Sequence, residues 1–156
     1  GEADYFSFPY QQVFNKIGAY SMTIEPDPSG TFVGSSFSYA TARDWARFGL
    51  LFLRDGVWND ERIFPEGWVK YSTTSADAAP QGEYGAQIWL NAGNKNNPKD
   101  KRFPDAPNDM YLMDGFEDQC VVMIPSRDVV IVRLGLSQKR GFDTNGFVRD
   151  VLNALE

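Results

Sequence analysis

Two apolar, β-branched runs near the C-terminus constrain the fold more than any other part of the sequence. Residues 119–124 (QCVVMI) and 129–134 (VVIVRL) are joined by the four residues Pro125-Ser126-Arg127-Asp128. A short polar connection between two such runs is typical of a β-hairpin. Because neither run alternates apolar with polar residues, we expect both strands to be covered on both faces. The sequence therefore predicts an antiparallel sheet packed between other elements.

A long amphipathic segment precedes this hairpin. Thr41, followed three residues later by Asp44, resembles a capping box at the start of a helix. Gly56 stands where a C-terminal cap is expected. The spacing predicts a helix that begins after Thr41 and ends before Gly56. Its apolar stripe consists of Ala42, Trp45, Ala46, Gly49, Phe52 and Leu53.

The remaining elements are shorter. A helix is predicted at 9–17, starting at Pro9, and another near Pro65. A last helix at 145–155 carries its apolar residues on one side and should pack across the hairpin. The polar residues 92–109 predict a long surface loop. We expect a single α+β domain over 1–156, in which helices are followed by an antiparallel sheet hairpin and a closing C-terminal helix.

Composition excludes several kinds of chemistry. The 156 residues contain no histidine, which removes His-assisted Ser or Cys catalysis and most zinc sites. Cys120 is the only cysteine, so no internal disulfide can form, and its place in an apolar run favours a buried thiol over a nucleophile. The net charge of −6 argues against nucleic acid and anionic membranes as partners. No apolar run reaches 18 residues, so we expect no membrane segment in this chain.

Three stretches carry a family resemblance. They are 32–51 (FVGSSFSYATARDWARFGLL), 55–69 (DGVWNDERIFPEGWV), and 115–119 (GFEDQ) with 124–135 (IPSRDVVIVRLG). In this order they resemble the class C β-lactamase-related serine hydrolases, a family that includes penicillin-binding proteins, 6-aminohexanoate-dimer hydrolases, some esterases and D-amino-peptidases. The resemblance spans residues 5–156 and implies the C-terminal part of a β-lactamase/transpeptidase-like fold.

The resemblance also implies where the nucleophile is. In this family a Ser in Ser-x-x-Lys attacks the carbonyl, and a Tyr in Tyr-x-Asn serves as partner base. No Ser lies three residues before any Lys of this chain, and no Tyr is followed two residues later by Asn. Since both motifs precede the matching stretches in the family, the resemblance implies that the nucleophile lies upstream. We therefore expect the 156 residues alone to be inactive.

One wall of the site is implied within this chain. Met113-Asp114-Gly115 stands at the position of the family's Lys-Thr-Gly strand, where Gly115 would allow the backbone and substrate to approach closely. The backbone N–H of Phe116 would be an oxyanion donor. The family's Gly-x-x-Gly-Gln reads GFEDQ here, with Asp118 in place of a glycine. The resemblance further implies that Ser35 and Ser36 line the substrate cleft.

Plainer interpretations remain open for these residues. Residues 115–116 could be a strand entry with a glycine bulge, and residues 35–36 a turn leading into a helix. The carboxylates at 117–118 suggest an acid–base pair or a metal ligand, but a solvated strand end is the commoner role. Lys139-Arg140-Gly141 has the form of a Lys-x-Gly triplet, but a loop to the last helix is expected there.

The intact parent would then be a hydrolase. By resemblance it would transfer an acyl group to water through a serine acyl-enzyme, acting on an amide, β-lactam or ester in a small-molecule or peptide-like substrate. No metal or organic cofactor is implied, and the parent would be periplasmic or secreted. The alternative is a non-catalytic binding or interaction module on the same fold. An exposed strand edge and apolar surface would also predict a homo-oligomer.

Overall fold

Helices and two short hairpins precede a four-stranded antiparallel sheet and a last helix. The computed structural model describes residues 1–137 and 141–156. In chain order the elements are α1 (Glu2–Pro9), β1 (Thr23–Ile24), β2 (Ser38–Tyr39), α2 (Ala42–Leu53), β3 (Val57–Trp58), β4 (Glu61–Arg62), α3 (Trp68–Ser72), β5 (Trp89–Leu90), β6 (Tyr111–Asp114), β7 (Cys120–Ile124), β8 (Val129–Arg133) and α4 (Thr144–Ala154). This arrangement confirms the predicted α+β class. Lys139 and Arg140 of the Lys-x-Gly triplet lie outside the described residues.

The strands β7 and β8 form the hairpin that their sequence predicts. They pair antiparallel with Ile124 opposite Val129, and a 3₁₀ turn at Pro125–Arg127 connects them. The sheet has the order β5-β6-β7-β8. Every residue of β7 is buried, which confirms that this strand is covered on both faces. β8 lies at the edge of the sheet, where Ile131 is buried and the other residues are half-buried, so the prediction of cover on both faces holds for β7 but not fully for β8.

The helices α4 and α2 cover opposite faces of the sheet. On one face, Val148 and Leu152 of α4 pack against buried side chains of β6 and β7, which confirms the predicted closing helix. On the other face, Trp45 and Phe52 of α2 pack against a second set of sheet residues. A large apolar side chain that is fully buried, such as Val148 of α4, contributes about 1.5–3 kcal/mol. The sheet residues of the second set are Leu90, Tyr111, Met113, Val121, Met123, Val130 and Val132.

Gly49 determines how closely α2 approaches the sheet. A Cβ atom added at this glycine would lie 2.8 Å from Cγ1 of Val121 and 2.8 Å from Cγ1 of Val130. It would also lie 3.3 Å from the sulfur of Met123. Carbon atoms in protein interiors pack at about 3.5–4.0 Å. Any larger residue at this position must therefore displace the helix or the two strands.

The helix α2 begins where the sequence indicates. The hydroxyl of Thr41 accepts a hydrogen bond from the N–H of Asp44 at 3.4 Å. The Asp44 carboxylate does not complete a capping box. It accepts from the N–H and hydroxyl of Ser21 at 2.8 and 2.6 Å, and it pairs with Arg47 at 2.5 Å. The Ser21 hydroxyl, together with Arg47, holds the pKa of this carboxyl below its usual value. Gly56, with φ of 76°, follows the helix end as predicted.

The predicted start of the first helix at Pro9 is wrong. Pro9 is the last residue of α1, and a π-helical turn at Tyr10–Phe14 follows it. The sequence before Pro9 has no clear apolar period that would predict a helix. Its aromatic rings pack outside the main core, where Tyr5 stacks on Phe32 with 5.0 Å between ring centroids. Proline has no N–H and its ring displaces the carbonyl four residues earlier, which is compatible with the wider turn that follows.

The loop predicted at residues 92–109 is present, and its base is packed. Asn91, which is 1% exposed, donates from Nδ2 to the carbonyls of Phe103 and Pro107 at 2.9 and 3.0 Å. Its Oδ1 accepts from the N–H of Phe103 at 2.9 Å. A buried amide needs partners for its N–H and C=O groups, and here the backbone of the loop supplies them. Phe103 and Ala106 of the loop are buried in the core beside α4.

None of the helices in the described part of the chain has the length and apolar character needed to cross a membrane.

Candidate functional site

The β6–β7 turn, residues 115–119, contains Gly115 and Phe116, the two residues that are expected to line the oxyanion site. Gly115 continues β6 in an extended conformation, and its N–H donates to the carbonyl of Gln119 at 2.7 Å. Glu117 and Asp118 are both left-handed, with φ of 59° and 58°. Two consecutive residues with positive φ are typical of the type I′ turn, whose twist matches that of the flanking strands. The structure therefore has a tight hairpin turn here.

Asp118 takes a backbone conformation that favours glycine. A non-glycine residue in the left-handed region costs roughly 1–2 kcal/mol, although Asp tolerates it better than most residues. The Asp118 carboxylate accepts a hydrogen bond from the N–H of Phe142 at 2.9 Å. Its side chain is thereby tied to the segment that leads into α4. This contact holds Asp118 at the position where the family that the sequence resembles has a glycine.

The backbone N–H of Phe116 is available to a ligand. No acceptor among the described residues pairs with it, whereas the N–H of Gly115 is already used within the turn. The carbonyl of Phe116 accepts from the backbone N–H and Nε2 of Gln119 at 3.4 and 3.2 Å. The Phe116 residue is 80% exposed. A backbone N–H held in a turn without an acceptor can stabilise negative charge on a substrate oxygen.

Met113 and Asp114 have separate surroundings. Met113 packs in the apolar cluster on the α2 side of the sheet. The Asp114 carboxylate accepts from Arg102 at 2.7 Å, and that guanidinium lies over the rings of Trp89 and Phe103 at 5.1 and 4.9 Å. Neither residue offers the ammonium or hydroxyl of Lys-Thr-Gly. The cation that contacts this position is Arg102, from the long loop.

The outer edge of β6 is open beside these residues. β5 pairs only with Tyr111 and Leu112. No other strand in residues 1–137 and 141–156 pairs with that edge at Met113 or Asp114. An unpaired strand edge can hydrogen-bond an extended ligand. The open edge leads directly to the β6–β7 turn.

Ser35 and Ser36 lie in an exposed turn before β2. The N–H of Ser36 donates to the carbonyl of Val33 at 3.2 Å, as in an ordinary turn. Among the hydrogen bonds of the described residues, none joins these serines to the β6–β7 turn. Residues 113–116 are consecutive and lie at one end of β6, and no hydrogen bond of the described residues links Ser35 or Ser36 to them. The role of the two serines as cleft-lining residues stays a prediction.

The residues that hold the β6–β7 turn from outside were missed in the sequence. Arg133, the last residue of β8, donates from one guanidinium nitrogen to the carbonyls of Glu117 and Asp118 at 3.2 and 3.0 Å. Ser137 donates to the Glu117 carbonyl at 2.8 Å. The sequence signal for this contact is a single arginine that follows four consecutive β-branched residues at 129–132. The carboxylates at 117–118 therefore belong to an anchored turn and not to a solvated strand end.

Cys120 is a buried thiol, as its sequence context favours. It is 3% exposed and lies at the start of β7. Burial, with a smaller effect from Asp114, raises the pKa of the thiol to about 11. A neutral thiol in this position is not a nucleophile. Within residues 1–137 and 141–156, no three His, Cys, Asp or Glu side chains are grouped closely enough to hold a metal ion.

Known structures share this fold. No family model and no curated protein matches the chain. A proposed 6-aminohexanoate-dimer hydrolase from Bacillus anthracis superimposes with a TM-score of 0.68 at 20% identity, over 94% of this chain and 36% of its own. A proposed β-lactamase from Bacteroides dorei superimposes with a TM-score of 0.61 at 10% identity, over 93% of this chain and 49% of its own. The chain therefore has a β-lactamase-like fold and spans less than half the length of these two structures.

Proposed function

We propose that this chain forms one wall of the active site of a β-lactamase-like serine hydrolase. The intact protein would hydrolyse an amide, β-lactam or ester through a serine acyl-enzyme. The observation that carries the proposal is the backbone N–H of Phe116, which has no acceptor among the described residues and belongs to an exposed residue in a tight turn at the open end of β6.

The chemistry assigns a distinct part to this wall. When a serine attacks a carbonyl carbon, the carbonyl oxygen becomes negatively charged in the tetrahedral intermediate. The N–H of Phe116 donates to that oxygen, while a small-molecule or peptide-like substrate lies along the open edge of β6. The nucleophile and its base come from Ser-x-x-Lys and Tyr-x-Asn segments, which these 156 residues do not contain. Acyl transfer by this route uses no metal or organic cofactor.

A second candidate is a non-catalytic binding module on the same fold. The observation that favours it is the chemistry of residues 113 and 114. Met113 is packed in the core and Asp114 is paired with Arg102, so neither supplies what Lys and Thr supply in the family. Such a module would bind an extended ligand at the open edge of β6 without reacting with it.

Covalent labelling distinguishes the two candidates. A fluorophosphonate probe and a fluorescent penicillin are added to the 156-residue chain and to a longer chain that includes the upstream segment. We expect the longer chain to be labelled and the 156-residue chain to remain unlabelled, because only the longer chain has the nucleophile. A Ser→Ala change in the upstream Ser-x-x-Lys is the control and should abolish labelling.

Two results would contradict the proposed hydrolase function. Labelling of the 156-residue chain would show that a nucleophile lies within it. A folded longer chain that binds penicillin reversibly but is never labelled would favour the binding module.

We also propose that the 156-residue chain self-associates through the outer edge of β8. No strand in the described ranges pairs with that edge, and its Val130 lines a cleft of about 360 Å³ beside Leu50 and Leu53 of α2. The cleft is also lined by the charged residues Arg43, Arg47 and Asp128, which offer both signs of charge to a second copy. An unpaired edge next to apolar surface favours strand pairing with a second copy. Light scattering after gel filtration should give twice the 17.6 kDa chain mass at high concentration. A monomer mass at every concentration would contradict this.

A further inference from the structure

We infer that Arg133 is a positioning residue for the oxyanion donor. From the end of β8 it holds the left-handed residues of the β6–β7 turn and so fixes the direction of the Phe116 N–H. The inference rests on the proposed function, since it names a residue that acts through the proposed donor. The contacts that support it belong to the fold and can be tested without any substrate.

The guanidinium of Arg133 reaches two successive carbonyls of the turn. One nitrogen donates to the carbonyls of Glu117 and Asp118 at 3.2 and 3.0 Å. The other nitrogen donates to the hydroxyl of Ser137 at 3.0 Å, and that hydroxyl donates in turn to the Glu117 carbonyl at 2.8 Å. Both left-handed residues are therefore held by the same side chain. A lysine could reach these carbonyls with its single nitrogen, but it has no second nitrogen for Ser137 and no planar group to stack on a ring.

The guanidinium itself is held in place by an aromatic ring. Its central carbon lies 3.9 Å from the centroid of the Phe142 ring, which is within the range of a cation–π interaction. Phe142 is fixed from two sides: its N–H donates to Asp118, and its ring packs edge-on against Phe147 of α4 at 5.4 Å. Arg133 is thus a rigid link between the turn and the closing helix.

The turn depends on such a link because of its residues. Left-handed backbone is unfavourable for Glu and Asp compared with glycine. Without Arg133, the Asp118 carbonyl loses its donor and the Glu117 carbonyl keeps only the Ser137 hydroxyl, so both residues can relax toward conformations with negative φ. The closing bond from Gly115 to Gln119 would then weaken, since its two ends are joined through those residues. The peptide that carries the Phe116 N–H would lose its fixed direction.

Amide NMR of the 156-residue chain tests the positioning directly. In Arg133→Ala and Arg133→Lys we expect shifts in the amide signals of residues 115–119 and at least about tenfold faster hydrogen exchange at the N–H of Gly115. The amides of β7 should keep their exchange rates. Arg127, at the opposite end of the same hairpin and paired with Glu156, gives the matched control Arg127→Ala. Millimolar guanidinium should partly restore the signals of Arg133→Ala.

Kinetics in the longer chain separate positioning from stability. For Arg133→Ala and Arg133→Lys we expect kcat for a β-lactam or ester to fall about 10- to 100-fold with KM little changed, because only the transition state uses the oriented N–H. Unchanged turn signals in both variants would overturn the inference, as would exchange that rises equally throughout β7. If the wild-type longer chain has no activity, the proposed function fails, while the NMR result still decides whether Arg133 holds the turn.

Discussion

Replacing Gly49 with leucine should lower the free energy of unfolding by at least about 3 kcal/mol, a large part of the stability of a domain this size. The added side chain has no room, because even a Cβ atom would lie 2.8 Å from Val121 and from Val130. α2 would have to move away from the sheet and expose the cluster beneath it. Urea unfolding followed by circular dichroism and tryptophan fluorescence measures the loss.

Two further glycine variants control for the change of residue type. Gly34→Leu should change stability little, because a Cβ atom at Gly34 has no neighbour within 4 Å. Gly49→Ala should cost less than Gly49→Leu, because alanine adds only the Cβ atom to these close contacts while it gains about 1 kcal/mol of helix propensity over glycine. A Gly49→Leu protein as stable as the wild type would show that α2 does not pack on β7 and β8 at this distance.

Replacing Phe116 with proline should slow acylation of the proposed intact hydrolase by about 10²–10³-fold, because proline removes the proposed oxyanion donor. The preceding residue is compatible with proline, since Gly115 has φ of −110° and ψ of 179°, an extended conformation that suits a residue before proline. It also breaks no hydrogen bond within the described part of the chain. Stopped-flow acylation with a chromogenic β-lactam or ester measures the rate.

The control keeps the N–H and removes the ring. Phe116→Ala should acylate within a few-fold of the wild type, because the exposed ring contributes little to the turn. Equal rates for the proline variant and the wild type would exclude Phe116 as the donor. A proline variant that unfolds at lower urea than Phe116→Ala would instead indicate a structural role.

Much of the fold was predictable because its strongest signals are local. The β7–β8 hairpin follows from two β-branched runs and a four-residue connection, and α2 from an apolar stripe that begins after Thr41. The closing helix follows from apolar residues on one side of the last segment. Each of these elements is defined by residues close together in sequence.

The parts that were not predictable depend on distant contacts. α1 has no apolar period before Pro9, and its aromatic rings pack against Phe32. Residues 115–119 were assigned to the site by family resemblance, but a turn was not predicted there, because its left-handed residues are Glu and Asp and turn chemistry at such positions favours glycine most. Its anchor, Arg133, contacts carbonyls 15 and 16 residues earlier in the chain. Periodicity carries no information about such side-chain-to-backbone bonds.

The buried amide of Asn91 divides the long loop into a base that is part of the core and a tip that is not. Because the base is already closed by that amide, adding or removing residues at the exposed tip, 95–100, changes the closure entropy only slowly with length. Arg102 follows directly after this tip and reaches Asp114 beside the open edge of β6. Evolution can therefore alter the surroundings of that edge through insertions and deletions in the tip while the sheet stays unchanged.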